Sequence, residues 1–504
     1  MTDFYRDYKP FRNFLRDFPL LESLIHIWRY SLFTIDKLAL PPNYISGVPR
    51  SVTPNTVPFP WELDLLAREI VLNGGLGGTR SLDRWNDLAR VMNETRRLDG
   101  AAFMLGNDGD PDVMIELHRL AHRQFPFNDI GIFPIVRASK VLGTDTIDEI
   151  ARRELGLSAR QFFKLGTAVT GHFHKKWGLS TIQDYSTIGL SAENTKAFFQ
   201  RLTIPMAELK RLLRGLQRYD HAWAYTWNPL VATPLIAFDP EHPDRVICPI
   251  PHYLLKRTFG GLFYDLINVA DFQNPYGNSF QAYIGELIKR VCKPPRFELL
   301  ATKPYDVGGS PSHGVDWILS DDTGHIFIEA KTKRLTIKAR MASEQDALDK
   351  DLGILADAIV QNYRNILDAV TGKTDWTPDA RPIYSLILTL EDLFIFSPRV
   401  KKKLDDKILP ALAAACIDPK VLQQMPWQLG SAHEFELASQ VIAQVGIGPV
   451  MSARSSEQQG WALVPALTKR FPDAMRKVNP RLFEEDFLAL IPEARPGARP
   501  ATDS

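Results

Sequence analysis

The sequence predicts a multidomain α/β protein with three parts. These are a large, mostly helical N-terminal region, an α/β core with a central mixed sheet, and a helical C-terminal region. Three observations carry the prediction. Helical apolar spacing dominates residues 1–225, helix-like and strand-like patterns alternate over 276–400, and helical spacing returns over 401–504. At 504 residues the chain has room for roughly two to four domains.

Within residues 1–225, the segment 61–72 reads as a helix that stops at Asn73-Gly74-Gly75. The stretches GLSARQFF from Gly156 and GLSAENTKAFF from Gly189 look alike because each places a serine, Ser158 or Ser191, to cap the following helix. Shared capping grammar explains the likeness better than a repeat. Residues 226–275, with NPLVATPLIAF and DRVICPIPHYLL, read as a proline-punctuated connector with short strands. From 276 to 400 the order is a helix at 279–291, strands at 297–301, 314–319 and 325–331, a helix at 346–370 and a strand at 383–396. The C-terminal EARPGARPATDS is expected to fray.

Composition narrows the function. The net charge is +1, so no global basic field advertises nucleic-acid binding, and any such binding must be local. Cys248, Cys292 and Cys416 are too far apart for a disulfide framework or a close-spaced zinc site, which fits a reduced, cytoplasmic protein. The N-terminus has no signal-like apolar stretch, and no run is long enough to span a membrane.

The segment GVDWILSDDTGHIFIEAKTKR, from Gly314, carries the chemistry. Asp321-Asp322-Thr323-Gly324 has turn composition between two β-type runs. A hairpin with Ser320 opposite His325 pairs residues of constant index sum, so Asp316 falls opposite Glu329. Directly opposed side chains share a face with Cβ atoms about 5 Å apart, and Lys331, two residues on, shares it too. Two carboxylates so close repel unless a cation neutralises them. Mg²⁺ is held by one or two carboxylates together with phosphate oxygens. An adjacent ammonium can hold the attacking water or offset developing charge. The apolar neighbours Val315, Trp317, Ile318, Ile326, Phe327 and Ile328 argue against a solvated surface salt bridge.

This arrangement resembles the PD-(D/E)xK nuclease superfamily, with Asp316 as its first acid and Glu329-Ala330-Lys331 as its (D/E)-x-K triplet. Val315 stands where the naming proline would be. The resemblance covers about 120 residues and implies a restriction-endonuclease-like core and metal-dependent phosphodiester hydrolysis with Mg²⁺ or Mn²⁺. The metal would be held by Asp316, Glu329 and the carbonyl of Ala330. It further implies a supporting acid on the preceding helix, for which Glu286 is the candidate, and a glutamine on the following helix, Gln361. From their place directly after the triplet, Lys333, Arg334, Lys338 and Arg340 read either as contacts to the nucleic-acid backbone or as a solvated loop, and His313, just before the Asp316 strand, reads as a neighbour of the site more readily than as part of its lining. By analogy, the implied substrate is DNA. The implied role is a restriction or anti-phage effector, with a protein partner in a defence system and a homodimer suited to double-strand cutting. The alternative is a nucleic-acid-binding or partner-controlled protein on the same fold without independent cleavage.

Other motifs rank lower. His118 and His122 are four apart but lack the glutamate of HExxH, and His172 and His174 share that weakness; both pairs read as packed or exposed side chains. GGLGGTR, from Gly74, lacks the Lys-Ser/Thr of a phosphate loop and reads as a flexible turn. IDEIARRELGLSARQFFKLG, from Ile147, has helix-turn-helix flavour but one residue too many between Ala151 and Gly156, so ordinary helix packing is the expectation.

Overall fold

The computed structural model describes residues 3–45, 58–105, 113–124, 127, 131–307, 309–340, 345–395, 398–453 and 463–490, without the side chains of 3, 45, 103–105, 113–117, 307, 310, 338, 345, 346 and 399. The C-terminal tail and the Lys338 side chain, both singled out in the sequence, lie outside the described residues. The protein is mixed α/β and mostly helical. It forms two compact units. The first comprises Met1–Asp112, Arg123–Asn128 and Asp145–Phe272; the second comprises Val113–His122, Asp129–Thr144 and Gln273–Ser504.

This division differs from the four consecutive segments read in the sequence. The short strands expected in residues 226–275 are present, but up to Phe272 they belong to the first unit instead of linking two domains. Leu235–Ala237 and Arg245–Ile247 pair antiparallel and complete a four-stranded sheet with Gly178–Ser180 and Thr203–Pro205. Ile204, Ile236 and Ile247 from that sheet join Phe4, Tyr8, Phe11, Leu66 and Trp223 in the first unit's core. Apolar spacing shows that a face is buried but not which neighbour buries it.

The first unit's helices follow local grammar. The helix Pro60–Asn73 opens with Pro60 at its first position and Glu62 accepting from the Phe59 N–H at 2.9 Å. It closes where expected, at Gly74. Ser158 and Ser191 each cap their helix through the N–H three residues on, both at 3.2 Å. The glycines after residue 73 are not a loose turn. A Cβ on Gly75 would lie 2.4 Å from the Arg16 carbonyl oxygen, and one on Gly78 would lie 1.8 Å from that of Asp17, so close backbone approach demands glycine there. The helices Asp145–Leu155 and Ala159–Phe173 bury Ile147, Ile150, Phe162, Phe163 and Val169, as ordinary packing requires.

In the second unit, helix α1 (Gln273–Val291) precedes strand β1 (Glu298–Ala301), and β2 (Trp317–Asp321) and β3 (Gly324–Lys331) form a hairpin. Helix α2 (Gln345–Val370) leads to β4 (Ile383–Thr389), and helix α3 (Pro398–Ala414) leads to β5 (Trp427–Ser431) and helix α4 (Ala432–Val445). The sheet order is β5-β4-β3-β2-β1. The first three strands are antiparallel and β3, β4 and β5 are parallel, each parallel link crossing over through a helix. Strand β5 was not foreseen in the C-terminal region expected to be helical; WQLGS is too short for its period to stand out beside long helices.

The hairpin register is the predicted one, with Ser320 opposite His325 and Trp317 opposite Ile328. Asp321 sets it locally: its Oδ1 accepts from the N–H groups of Thr323 (2.8 Å) and Gly324 (3.1 Å). His325 reinforces it, joined to Ser320 Oγ at 2.7 Å and to Asp379 at 3.0 Å. Ile318 and Phe327 face the core made with α2 and α3. By strand alternation Asp316, Glu329 and Lys331 lie on that same face. Trp317 points the other way, its indole N–H donating to the Gln281 carbonyl of α1 at 2.9 Å.

Candidate functional site

Asp316 sits one residue before β2, and its Oδ2 accepts from the Ala330 N–H at 2.7 Å. That bond ties the first acid to the middle of the Glu-Ala-Lys triplet. Glu329 is 3% exposed. Its Oε1 pairs with Lys331 Nζ at 2.6 Å, and its Oε2 is buried with no hydrogen-bond partner. Lys331 also donates to Gln361 Oε1 at 3.2 Å, bringing the α2 glutamine into the group.

The electrostatics follow from crowding and burial. Glu329 is pushed up to about 7, first by burial and then by the neighbouring Asp316 charge, with Lys331 acting in opposition. Burial also raises Asp316, against the Ala330 N–H and Lys331. Two neighbouring carboxylates beside one lysine, one of them with an orphaned buried oxygen, fit a divalent cation. Among the described residues no three His, Cys, Asp or Glu side chains gather into a metal-holding group. A carboxylate pair alone would leave coordination positions to main-chain, water or phosphate oxygens, which a hard cation such as Mg²⁺ accepts.

Glu286 is not brought to this group. Its Oε1 accepts from Lys140 at 2.8 Å and Arg290 at 3.2 Å. Its helix packs on the opposite face of the sheet, where Gly285 lies against Trp317. A helix before the first strand was visible in the sequence; the face of the sheet it would cover was not.

The cations after the triplet are not a solvated loop. Lys333 pairs with Asp351 at 2.6 Å, and Asp351 also accepts from the Thr336 N–H at 2.9 Å. Arg334 and Arg340 both pair with Glu391, at 2.9 and 2.5 Å. Asp351 and Glu391 were missed because only the folded chain brings them to residues 333–340. His313 is exposed. His118 and His122 form a buried pair with ring centroids 4.6 Å apart, and His118 Nε2 lies 3.2 Å from the Ala339 carbonyl oxygen. Burial holds both below the usual histidine range, so they are packed neutral side chains. His172 is bonded to the Gly178 carbonyl at 2.7 Å, and His174 lies 3.6 Å from Asp36.

No protein-family model matches the chain, and no curated protein or solved structure matches it. Among the described residues no helix is long and apolar enough to cross a membrane.

Proposed function

We propose that the second unit is a metal-dependent nuclease with a restriction-endonuclease-like core of the PD-(D/E)xK type, hydrolysing phosphodiester bonds in DNA. The observation that supports this most strongly is the buried Glu329 carboxylate, with one oxygen on Lys331, the other without a donor, and Asp316 beside it. Asp316, Glu329 and the Ala330 carbonyl would hold Mg²⁺ or Mn²⁺. When bound, such an ion lowers the pKa of a coordinated water and offsets charge on the attacked phosphate. Lys331 holds the attacking water through its ammonium, and Gln361 restricts where that ammonium can point. Glu329 Oε1 pairs with the Lys331 ammonium at 2.6 Å and restricts its reach to the neighbourhood of the carboxylates. The first unit would select substrate or partner, and a role as a restriction or anti-phage effector follows by analogy with other free-standing nucleases.

The test is incubation of plasmid DNA with the full chain and Mg²⁺, with EDTA as control. The wild-type protein should cut only with the metal, and Asp316→Ala and Lys331→Ala should be folded and inactive. DNA binding without cutting would instead favour a non-cleaving nucleic-acid-binding protein.

A further inference from the structure

Just beyond the carboxylate pair, two guanidinium groups converge on a single carboxylate. Arg334 Nη1 lies 2.9 Å from Glu391 Oε1, and Arg340 Nη2 lies 2.5 Å from Glu391 Oε2. Each carboxylate oxygen thus takes one arginine. We propose that Arg334 and Arg340 form a seat for a backbone phosphate of the nucleic acid, and that Glu391 fills this seat in the free protein as an internal substitute.

Three features support this. First, the geometry suits a phosphodiester, whose two non-bridging oxygens can meet two guanidinium groups as the two oxygens of Glu391 do. Second, the arginines are held in place independently of Glu391. Arg334 also donates to the Tyr276 hydroxyl at 2.9 Å, and Arg340 Nε donates to the Leu335 carbonyl at 2.9 Å. Glu391 is the most open of the three, with its side chain 32% exposed against 8% for Arg334 and 24% for Arg340. Third, the seat adjoins the proposed catalytic group. Thr389 is the register partner of Lys331, and the Leu390 N–H donates to the Lys331 carbonyl at 3.1 Å. Thr389 Oγ1 then donates to the Glu391 carbonyl at 2.8 Å, fixing the start of the substitute.

A purely structural ion pair and a displaceable substitute differ in what removing the charge of Glu391 does. This inference rests on the nuclease reading for the identity of the polyanion, so binding is measured apart from cleavage. A short fluorescein-labelled duplex DNA is titrated by fluorescence polarisation in EDTA against the full chain. Glu391→Gln should bind about tenfold more tightly than wild type, with a log K against log salt slope steeper by about one. Adding Arg340→Gln to that variant should remove the gain. Unchanged or weaker binding by a folded Glu391→Gln overturns the proposal, as does the absence of binding by both proteins. If Glu391→Gln fails to fold, Arg340→Gln alone decides: about tenfold weaker binding supports the seat, and unchanged binding overturns it. Plasmid cutting with Mg²⁺ is scored separately. A Glu391→Gln gain with no cutting by either protein keeps the seat and removes the nuclease. Cutting with no gain does the reverse.

Discussion

Glu69 in the first unit and Glu329 in the second are both shut off from solvent, at 0% and 3% exposure. Their surroundings differ in kind. Glu69 accepts from Tyr8 (2.7 Å), Gln217 (2.9 Å), Trp223 (2.9 Å), Asn73 (3.1 Å) and Arg68 (3.2 Å), so both its oxygens are satisfied. Glu329 has one lysine on one oxygen, nothing on the other and a second carboxylate alongside. A buried charge fully wrapped in donors holds a fold together. One left short of donors costs stability unless a ligand completes it. The contrast marks Glu69 as structural and leaves Glu329 as the candidate for completion by a ligand.

The largest effect that would sharpen this contrast is catalytic. Lys331→Ala should lower the DNA cleavage rate by roughly a hundredfold or more in a protein that circular dichroism shows to be folded, the size typical of losing a group that acts on the transition state. Next is stability. Glu69→Ala strands Tyr8, Trp223, Gln217 and Arg68 and should cost about 3–5 kcal/mol in urea unfolding of the first unit. Loss of less than about 1 kcal/mol would remove the distinction between the two glutamates.

The third effect is pH dependence. Glu329 has a folded pKa of about 7, above its ordinary value of 4.5. The folded metal-free chain therefore binds more protons than the unfolded chain between these values. This group's contribution is fully present below about 4.5 and is lost as pH rises through about 7. Stability of the metal-free protein should fall across that window by up to about 3 kcal/mol. Glu329→Gln should flatten the fall, and an unaltered pH profile would break the comparison. Fourth, Mg²⁺ at about 100 times its Kd should stabilise the wild-type protein by about 2.7 kcal/mol, read as a shift in thermal melting at pH 7.5. Glu329→Gln should show little of this shift. The smallest effect is positional. Gln361→Ala should slow cleavage several-fold.

Much of the candidate group was legible because a hairpin is local. The turn Asp321–Gly324 sets the register, and the register alone places Asp316, Glu329 and Lys331 on one face. Gln361 was legible through the family resemblance, and its contact with Lys331 stands in the fold. What stayed hidden was non-local. The face on which α1 packs put Glu286 with Lys140 and Arg290. The acids that cover Lys333, Arg334 and Arg340 lie 18, 57 and 51 residues further along the chain. Strand β5 and the first unit's strands Gly178–Ser180 and Thr203–Pro205 are short segments whose pairing, not their periodicity, makes them strands.

The most direct test is the rate of Mg²⁺-dependent cutting of DNA by Asp316→Asn beside wild type, with circular dichroism confirming that both are folded. Wild-type protein should nick the substrate at a rate that rises with Mg²⁺, while the asparagine variant stays at background. Equal rates for the two proteins would contradict the assignment of the carboxylate pair.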